Sequence, residues 1–339
     1  MNLKNILKVV FVIIGTTIGA GFASGKEIYL FFNSYGPKGI LGILLSCILT
    51  GLIVYKLFAI IQDRNVKTYD DFLNLISKKQ KVNHFVNCII NIFLLVSFFI
   101  MVAGFSAYLT QEFGIHNFFG SIIICVLCYI IFMNNMNGIV KANAILIPVL
   151  ICGILMIGVK NIDIFQQINE KMVCYNHTNW IVSSVLYSSY NSILLIPMLI
   201  TLNKYVKNKK QAAMIALVTA LLLILLALII SGLLLMVDLD INTLEIPMLY
   251  VASLLGNFFR YFYGFIILFS IFTTAISAGY SFLENTTKNR RIYRAMAILI
   301  CICGIPISSL GFSNLVNLLY PIFGYLGIVQ LFMIFTQKA

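Results

Sequence analysis

Long apolar runs alternate with short polar connections along this chain. Ten apolar segments stand out, near residues 4–33, 38–61, 84–112, 117–134, 139–159, 177–203, 211–237, 250–284, 292–310 and 314–336. A helix needs about 20 apolar residues to cross a bilayer core, and none of these runs shows the two-residue alternation of a barrel strand. Only helices and closed barrels satisfy their own backbone in hydrocarbon, so the pattern predicts a bundle of transmembrane helices. The mixed-charge connection 62–83 leaves room for a short surface helix over 68–77. No stretch reads as a soluble domain or linker. The first segment is too long, and too polar in its middle, for a cleavable signal peptide.

Two segments interrupt the pattern. "GTTIGAGFASGKE", residues 15–27, places Gly15, Gly19, Gly21 and Gly25 among small and hydroxylated residues, then adds Lys26 and Glu27. Glycine favours unwinding, although Gly15/Gly19 and Gly21/Gly25 also fit the small-residue spacing of close helix packing. Segment 6 carries "YSSYNS", residues 187–192, followed by Pro197. Serine and asparagine compete with the helical ladder, and proline removes one of its bonds. A second break is therefore expected there. If the chain divides as five plus five segments, the breaks fall in the first helix of each half. The halves then form an inverted repeat, residues 1–160 and 161–339, within one transmembrane domain. Paired interrupted helices of this kind point to a transporter's midplane site. Open amides suit a carboxylate, and open carbonyls suit a cation.

Composition sharpens the class. The chain has 339 residues, 61% of them hydrophobic and 10% charged, with a mean hydropathy of +1.00. That is an integral membrane composition, with the bilayer as its surroundings. The net charge of +12 reads as an orientation signal rather than a nucleic-acid surface. With the N-terminus inside, inner loops and tails hold 17 of the 23 Lys and Arg, including Lys4, Lys67, Lys78, Lys79, Lys141, Lys288 and Lys338; the outer connections hold 4, Lys38, Lys160, Lys171 and Arg260. Both termini are thus expected to be cytoplasmic, in a bacterial cell membrane. The outer loops 160–176 and 238–249 carry Asp163, Glu170, Asp238, Asp240 and Glu245. Most of the eight cysteines lie in or beside apolar runs and read as packing residues. His84, His116 and His177 sit near loops or helix ends. No buried nucleophile, base or metal constellation marks an enzyme, and no cofactor is expected.

"IGTTIGAGFASGKE" resembles the first-helix signature of the amino acid–polyamine–organocation superfamily, which shares the fold of the sodium-coupled transporter LeuT. With the following "FFNSYGPKG" it is more closely similar to the bacterial YkvI-like membrane proteins. The resemblance implies an all-α integral membrane fold of ten transmembrane helices with discontinuous first and sixth helices. It also implies a sodium ion as coupling ion. Its ligands would be the carbonyls of Gly15 and Ile18, the carbonyl of Ser270, and the hydroxyls of Thr273 and Thr274 in "SIFTTAIS". A second sodium is disfavoured, because Phe22 stands where relatives place an amide. Leu150 stands near the depth where some proton-coupled relatives carry a lysine.

The same resemblance puts a substrate carboxylate on the amides of Gly19, Ala20 and Gly21, and an amine near Thr17, Tyr187 and Ser188. Tyr187 and Tyr190 would cover the substrate or gate the pocket. Lys26 and Glu27 are adjacent, so they cannot share a helical face. Intramembrane charges mark function, and Glu27 is expected to face the permeation path and to bind a cationic group or gate the path. The expected activity is sodium-coupled symport of an amino acid or related amine by alternating access, with segments 1, 2, 6 and 7 rocking against 3, 4, 8 and 9. Two alternatives remain open, a proton-coupled transporter of the same fold and a nutrient sensor resembling spore-germination receptor subunits.

Overall fold

The computed structural model describes residues 3–66, 69–76, 80–133, 137–161, 174, 176, 178–237, 240–287 and 289–337. Asp163, Glu170, Asp238, His177, Lys67, Lys78, Lys79, Lys171, Lys288 and Lys338 lie outside them, as do the side chains of Lys4 and Lys141. Segment 1 comprises α1 (Leu3–Thr17), α2 (Ala20–Ala23), α3 (Lys26–Ile28) and a π-helical turn (Tyr29–Asn33). Segments 2 to 5 are α4 (Lys38–Asp63), α6 (Gln80–Phe113), α7 (Asn117–Met133) and α8 (Asn137–Lys160), with the surface helix α5 (Tyr69–Ile76) between α4 and α6. Segments 6 and 7 are α9 (Trp180–Leu202) and α10 (Lys209–Leu233). Segment 8 divides into α11 (Pro247–Leu254) and α12 (Asn257–Thr286). Segments 9 and 10 are α13 (Arg290–Ser308) and α14 (Phe312–Thr336).

Among the described residues, seven helices are long and apolar enough to cross a membrane: Lys38–Asp63, Asn83–Phe113, Trp180–Tyr205, Lys209–Met236, Asn257–Thr286, Arg290–Ser308 and Phe312–Thr336. Asn5–Thr17, Asn117–Met133 and Ile147–Lys160 are shorter apolar helices. Exposed apolar side chains recur at helical spacing: Leu41, Ile48 and Leu52 on α4, Ile123, Val126, Leu127 and Ile130 on α7, and Leu318, Ile322, Val329 and Phe332 on α14. Such stripes need hydrocarbon as their solvent.

One expectation is overturned. Segment 6 is not interrupted; α9 runs unbroken from Trp180 to Leu202, with Pro197 inside it. Its polar side chains reinforce the helix instead of competing with it. The hydroxyl of Ser184 donates to Trp180 O (2.8 Å), that of Ser189 to Val185 O (2.6 Å), and the Asn191 amide to Tyr187 O (3.0 Å). Each returns to the backbone one turn earlier, the bonding by which membrane helices satisfy small polar residues. The second discontinuity lies in segment 8, where Gly256 adopts φ 109° between α11 and α12. That conformation costs glycine little.

Small residues set the closest helix approaches. A Cβ on Gly51 of α4 would meet Ala216 and Ala220 of α10, and one on Gly264 of α12 would meet Tyr108 of α6. On α14, Gly324 and Gly327 lie directly against the α9 backbone at Leu186 and Ser189. Lipid supplies no hydrophobic drive between helices, so backbone proximity and dispersion hold these seams. Gly327→Val is expected to destabilise the protein by about 1–3 kcal/mol, as overpacking does. Thermal unfolding in detergent reads this as a lowered midpoint, with the exposed Val329→Ala as the near-neutral control.

Candidate functional site

The site is built around segment 1, which has two joints. The helical ladder of α1 ends where Ile18 N–H donates to Ile14 O (2.6 Å), and it resumes where Ala23 N–H donates to Gly19 O (3.0 Å). Gly19 between them is extended, at φ −82° and ψ −172°. Among the described residues, the amides of Gly19, Ala20 and Gly21 have no backbone acceptor, and the carbonyls of Gly15, Thr16 and Thr17 have no backbone donor. The hydroxyls of Thr16 and Thr17 donate back into α1 at Val12 O, Ile13 O and Ile14 O, so they do not fill these positions. The second joint is Ser24 and Gly25, where Gly25 takes φ +85° and a Cβ would press on Leu234 and Met248.

Neighbouring helices hold the short pieces in place. The Tyr263 hydroxyl of α12 donates to Ala23 O (2.8 Å), and Met248 N–H at the start of α11 donates to Ser24 O (3.0 Å). At the π-turn, the Ser183 hydroxyl of α9 donates to Phe31 O (2.8 Å). Asn33 and Ser231 of α10 form a reciprocal pair, with Asn33 Nδ2 donating to Ser231 O (2.9 Å) and the Ser231 hydroxyl donating to Asn33 Oδ1 (2.6 Å). An opened backbone in a low-dielectric interior needs this degree of satisfaction.

Lys26 and Glu27 are both buried and lead in different directions. Lys26 Nζ donates to Ile241 O (2.7 Å) in the connection between α10 and α11, within the fields of Glu245 and Asp240. The Glu245 carboxylate accepts from Ser313 N–H (2.7 Å) at the start of α14, so this connection ties segment 1 to segment 10. Glu27 is 2% exposed, and its carboxyl accepts a hydrogen bond from the Tyr190 hydroxyl of α9. The Phe22 amide faces the same carboxyl. The side chain folds over Gly21, where any Cβ would collide with it. Gly21 is therefore the seat of the Glu27 carboxyl.

Aromatic rings enclose this pair. Phe31 stacks on Tyr190 at 5.7 Å and meets Tyr187 edge-on at 5.3 Å; Tyr187 and Tyr190 meet edge-on at 5.4 Å, and Tyr320 of α14 lies 5.1 Å from Tyr190. Sequence reasoning named Tyr187 and Tyr190 but missed Phe31 and Tyr320. A Phe four residues after Glu27, facing the same side of a helix, was the available signal for Phe31. Nothing local marks Tyr320.

Other named residues have partners outside this cluster. The Ser188 hydroxyl is held by Ser46 O (2.8 Å) and Ser184 O (3.1 Å). On α12, the Thr273 hydroxyl donates to Phe269 O (2.9 Å) and Ser270 O (3.2 Å), whereas the Thr274 hydroxyl has no protein partner among the described residues. Gly15 backs onto Ile147 of α8. No hydrogen bond joins Gly15 or Ile18 to Ser270, Thr273 or Thr274.

No family model matches the chain. It is 28% identical over 337 residues to YkvI of Bacillus subtilis (strain 168), described as an uncharacterised membrane protein, covering 97% of this chain and 95% of that one. It is 25% identical over 337 residues to YyaD of the same organism, an uncharacterised protein, covering 96% and 94%. Among solved structures it is similar to a Na+-coupled sialic acid symporter in a substrate-bound outward-open state, with TM-score 0.61, 15% identity, and coverage of 96% of this chain and 76% of that one. It is also similar to a manganese transporter of Eremococcus coleocola, with TM-score 0.58, 14% identity, and coverage of 95% and 76%. At these identities the likeness concerns the fold, which is that of membrane transporters in a multi-pass helical protein.

Lys26→Met keeps the apolar stem and removes the donor to Ile241 O. Losing a charged hydrogen bond worth about 1.5–3 kcal/mol should speed local opening of the 241–243 turn by about tenfold or more. Hydrogen exchange read by mass spectrometry checks this, with the α9 core amides unchanged.

Proposed function

We propose that this protein is a secondary active transporter that moves an amino acid or related amine across a bacterial cell membrane by alternating access. The observation that carries the reading is the pair of joints in segment 1. They open amides and carbonyls inside an apolar helix bundle, next to a buried carboxyl and a ring of tyrosines. Such an opening is sustained only around a polar ligand or a water-lined path. The transporter fold of the solved structures named above supports the same reading.

In this proposal the chain crosses the membrane ten times with both termini in the cytoplasm, as two inverted halves, residues 1–160 and 161–339. The three shorter apolar helices then supply crossings beyond the seven long ones. The amides of Gly19, Ala20 and Gly21 take the substrate carboxylate. Its amine lies toward Thr17, Tyr187, Ser188 and Glu27, with Tyr190 closing over it. Sodium is the coupling ion, held by the carbonyls of Gly15, Ile18 and Ser270 and the hydroxyls of Thr273 and Thr274. The Thr273 hydroxyl donates its proton to Phe269 O and keeps its lone pairs for the ion. The free hydroxyl of Thr274 supports this, because it awaits an acceptor or an ion.

Reconstituted vesicles test the proposal. Radiolabelled amino acids and amines should accumulate under an inward sodium gradient, and Thr274→Val should lower sodium-dependent uptake about fivefold or more, the cost of one lost ligand oxygen being about 1–3 kcal/mol. No accumulation under any imposed sodium or proton gradient would sink the transporter reading. Ligand-dependent thermal stabilisation without uptake would identify a sensor instead.

A further inference from the structure

We propose that Glu27 is a charge-exchange site. It holds a proton while the substrate site is empty and trades that proton for the ammonium group of a cationic amine. The inference rests on the transporter reading and deepens it, since it assigns the substrate a positive charge and gives the empty carrier a proton to take back.

The argument begins with what faces the carboxyl. Glu27 is 2% exposed and is bonded by Tyr190, whose ring packs with Phe31, Tyr187 and Tyr320. Its neighbour on α3, Lys26, is engaged with Ile241 O and the acids of the outer connection. From α9 the titratable groups facing it are Tyr187 and Tyr190, and from α14 it is Tyr320. Cys47 of α4 stands behind Tyr187. α10 brings Ser231 and Asn33 together near the π-turn but aims no charge at Glu27. The ion pairs found among the described residues, Lys209 with Asp63 and Arg260 with Glu112, lie elsewhere. Among the described residues, no Lys, Arg or His compensates Glu27.

A carboxylate enclosed in this way without a counter-cation is far costlier than a tyrosine hydroxyl and one amide can offset. Its charge must be cancelled by a bound proton or by a cationic ligand. The Tyr190 hydroxyl serves both conditions, because it donates to a carboxylate and accepts from a carboxylic acid. An organic ammonium brings the missing positive charge alone, whereas a zwitterion also brings a carboxylate for the Gly19, Ala20 and Gly21 amides.

The exchange balances. When an alkylammonium arrives from outside, the Glu27 O–H bond breaks, the proton passes to outer water, and the carboxylate pairs with the ammonium. When the amine leaves on the inner side, a proton from inner water re-forms the O–H bond. The site then returns neutral, and one proton moves out for each amine moved in. Because only the compensated forms can be enclosed, the carrier closes with a proton or an amine in place and not with neither.

The full-length protein in detergent provides the first test. With no ligand at neutral pH, infrared difference spectra of wild type against Glu27→Gln should show a buried carboxylic acid band that belongs to Glu27; its absence overturns the proposal. With putrescine and lysine as probes and leucine as the zwitterionic control, binding of either amine in weak buffer should release one proton per ligand, read by a pH indicator. Tyr190→Phe, which keeps the carboxyl, should retain the release, and Glu27→Gln should lose it. One-for-one competition lowers apparent amine affinity about tenfold for each unit of acidification. Amine binding or uptake without proton release overturns the exchange and leaves the transporter reading standing. Uptake of leucine that is indifferent to Glu27→Gln, with no amine bound, also overturns it. Proton release without uptake into vesicles under any gradient supports the exchange and removes the transporter reading.

Discussion

Everything in this molecule answers to one constraint: a backbone opened inside an apolar bundle must be satisfied on the spot. Between Thr17 and Ala23 the helical ladder is missing. Each stranded amide or carbonyl in hydrocarbon costs several kcal/mol. Tyr263, Met248 and Ser183 take up the carbonyls of Ala23, Ser24 and Phe31, and Ser231 pairs with the Asn33 side chain at the π-turn. They come from α12, α11, α9 and α10, so the joints organise four neighbouring elements around themselves. The backbone groups at Gly15, Thr16, Thr17, Gly19, Ala20 and Gly21 are reached by none of these residues.

The helix packing follows the same division. α9 is held against α14 by the glycine seam at Gly324 and Gly327, and α4 against α10 by Gly51. These contacts are backbone-close and tolerate no added side chain. Segment 1 shares this packing, with Gly15 against Ile147 of α8 and Phe32 O against Gly39 of α4, and adds individual hydrogen bonds at its joints, which can break and re-form singly. A rigid frame with a hydrogen-bonded insert is the mechanical arrangement that hinge-type motions use.

Much of this was legible in the sequence. Runs of about 20 apolar residues are long enough to place helices within a few residues, because the bilayer leaves no other backbone solution. The first break was legible because four glycines in eleven positions, 15 to 25, outweigh any helical preference. The "YSSYNS" stretch misled for a physical reason. Serine and asparagine bond the backbone either across a break or one turn back, and composition does not distinguish these outcomes. Glu27's partner was illegible because Tyr190 lies 163 positions away and the bond depends on tertiary closure. The split in segment 8 was marked only by Gly256, which a continuous apolar run conceals.

Lys26 and Glu27 occupy successive positions on a single helical turn, about 100° apart around its axis. One grips the connection between α10 and α11, and the other reaches the tyrosines of α9. α3 therefore works as a bracket with two unlike arms, a single helical turn that anchors both that connection and the buried carboxyl.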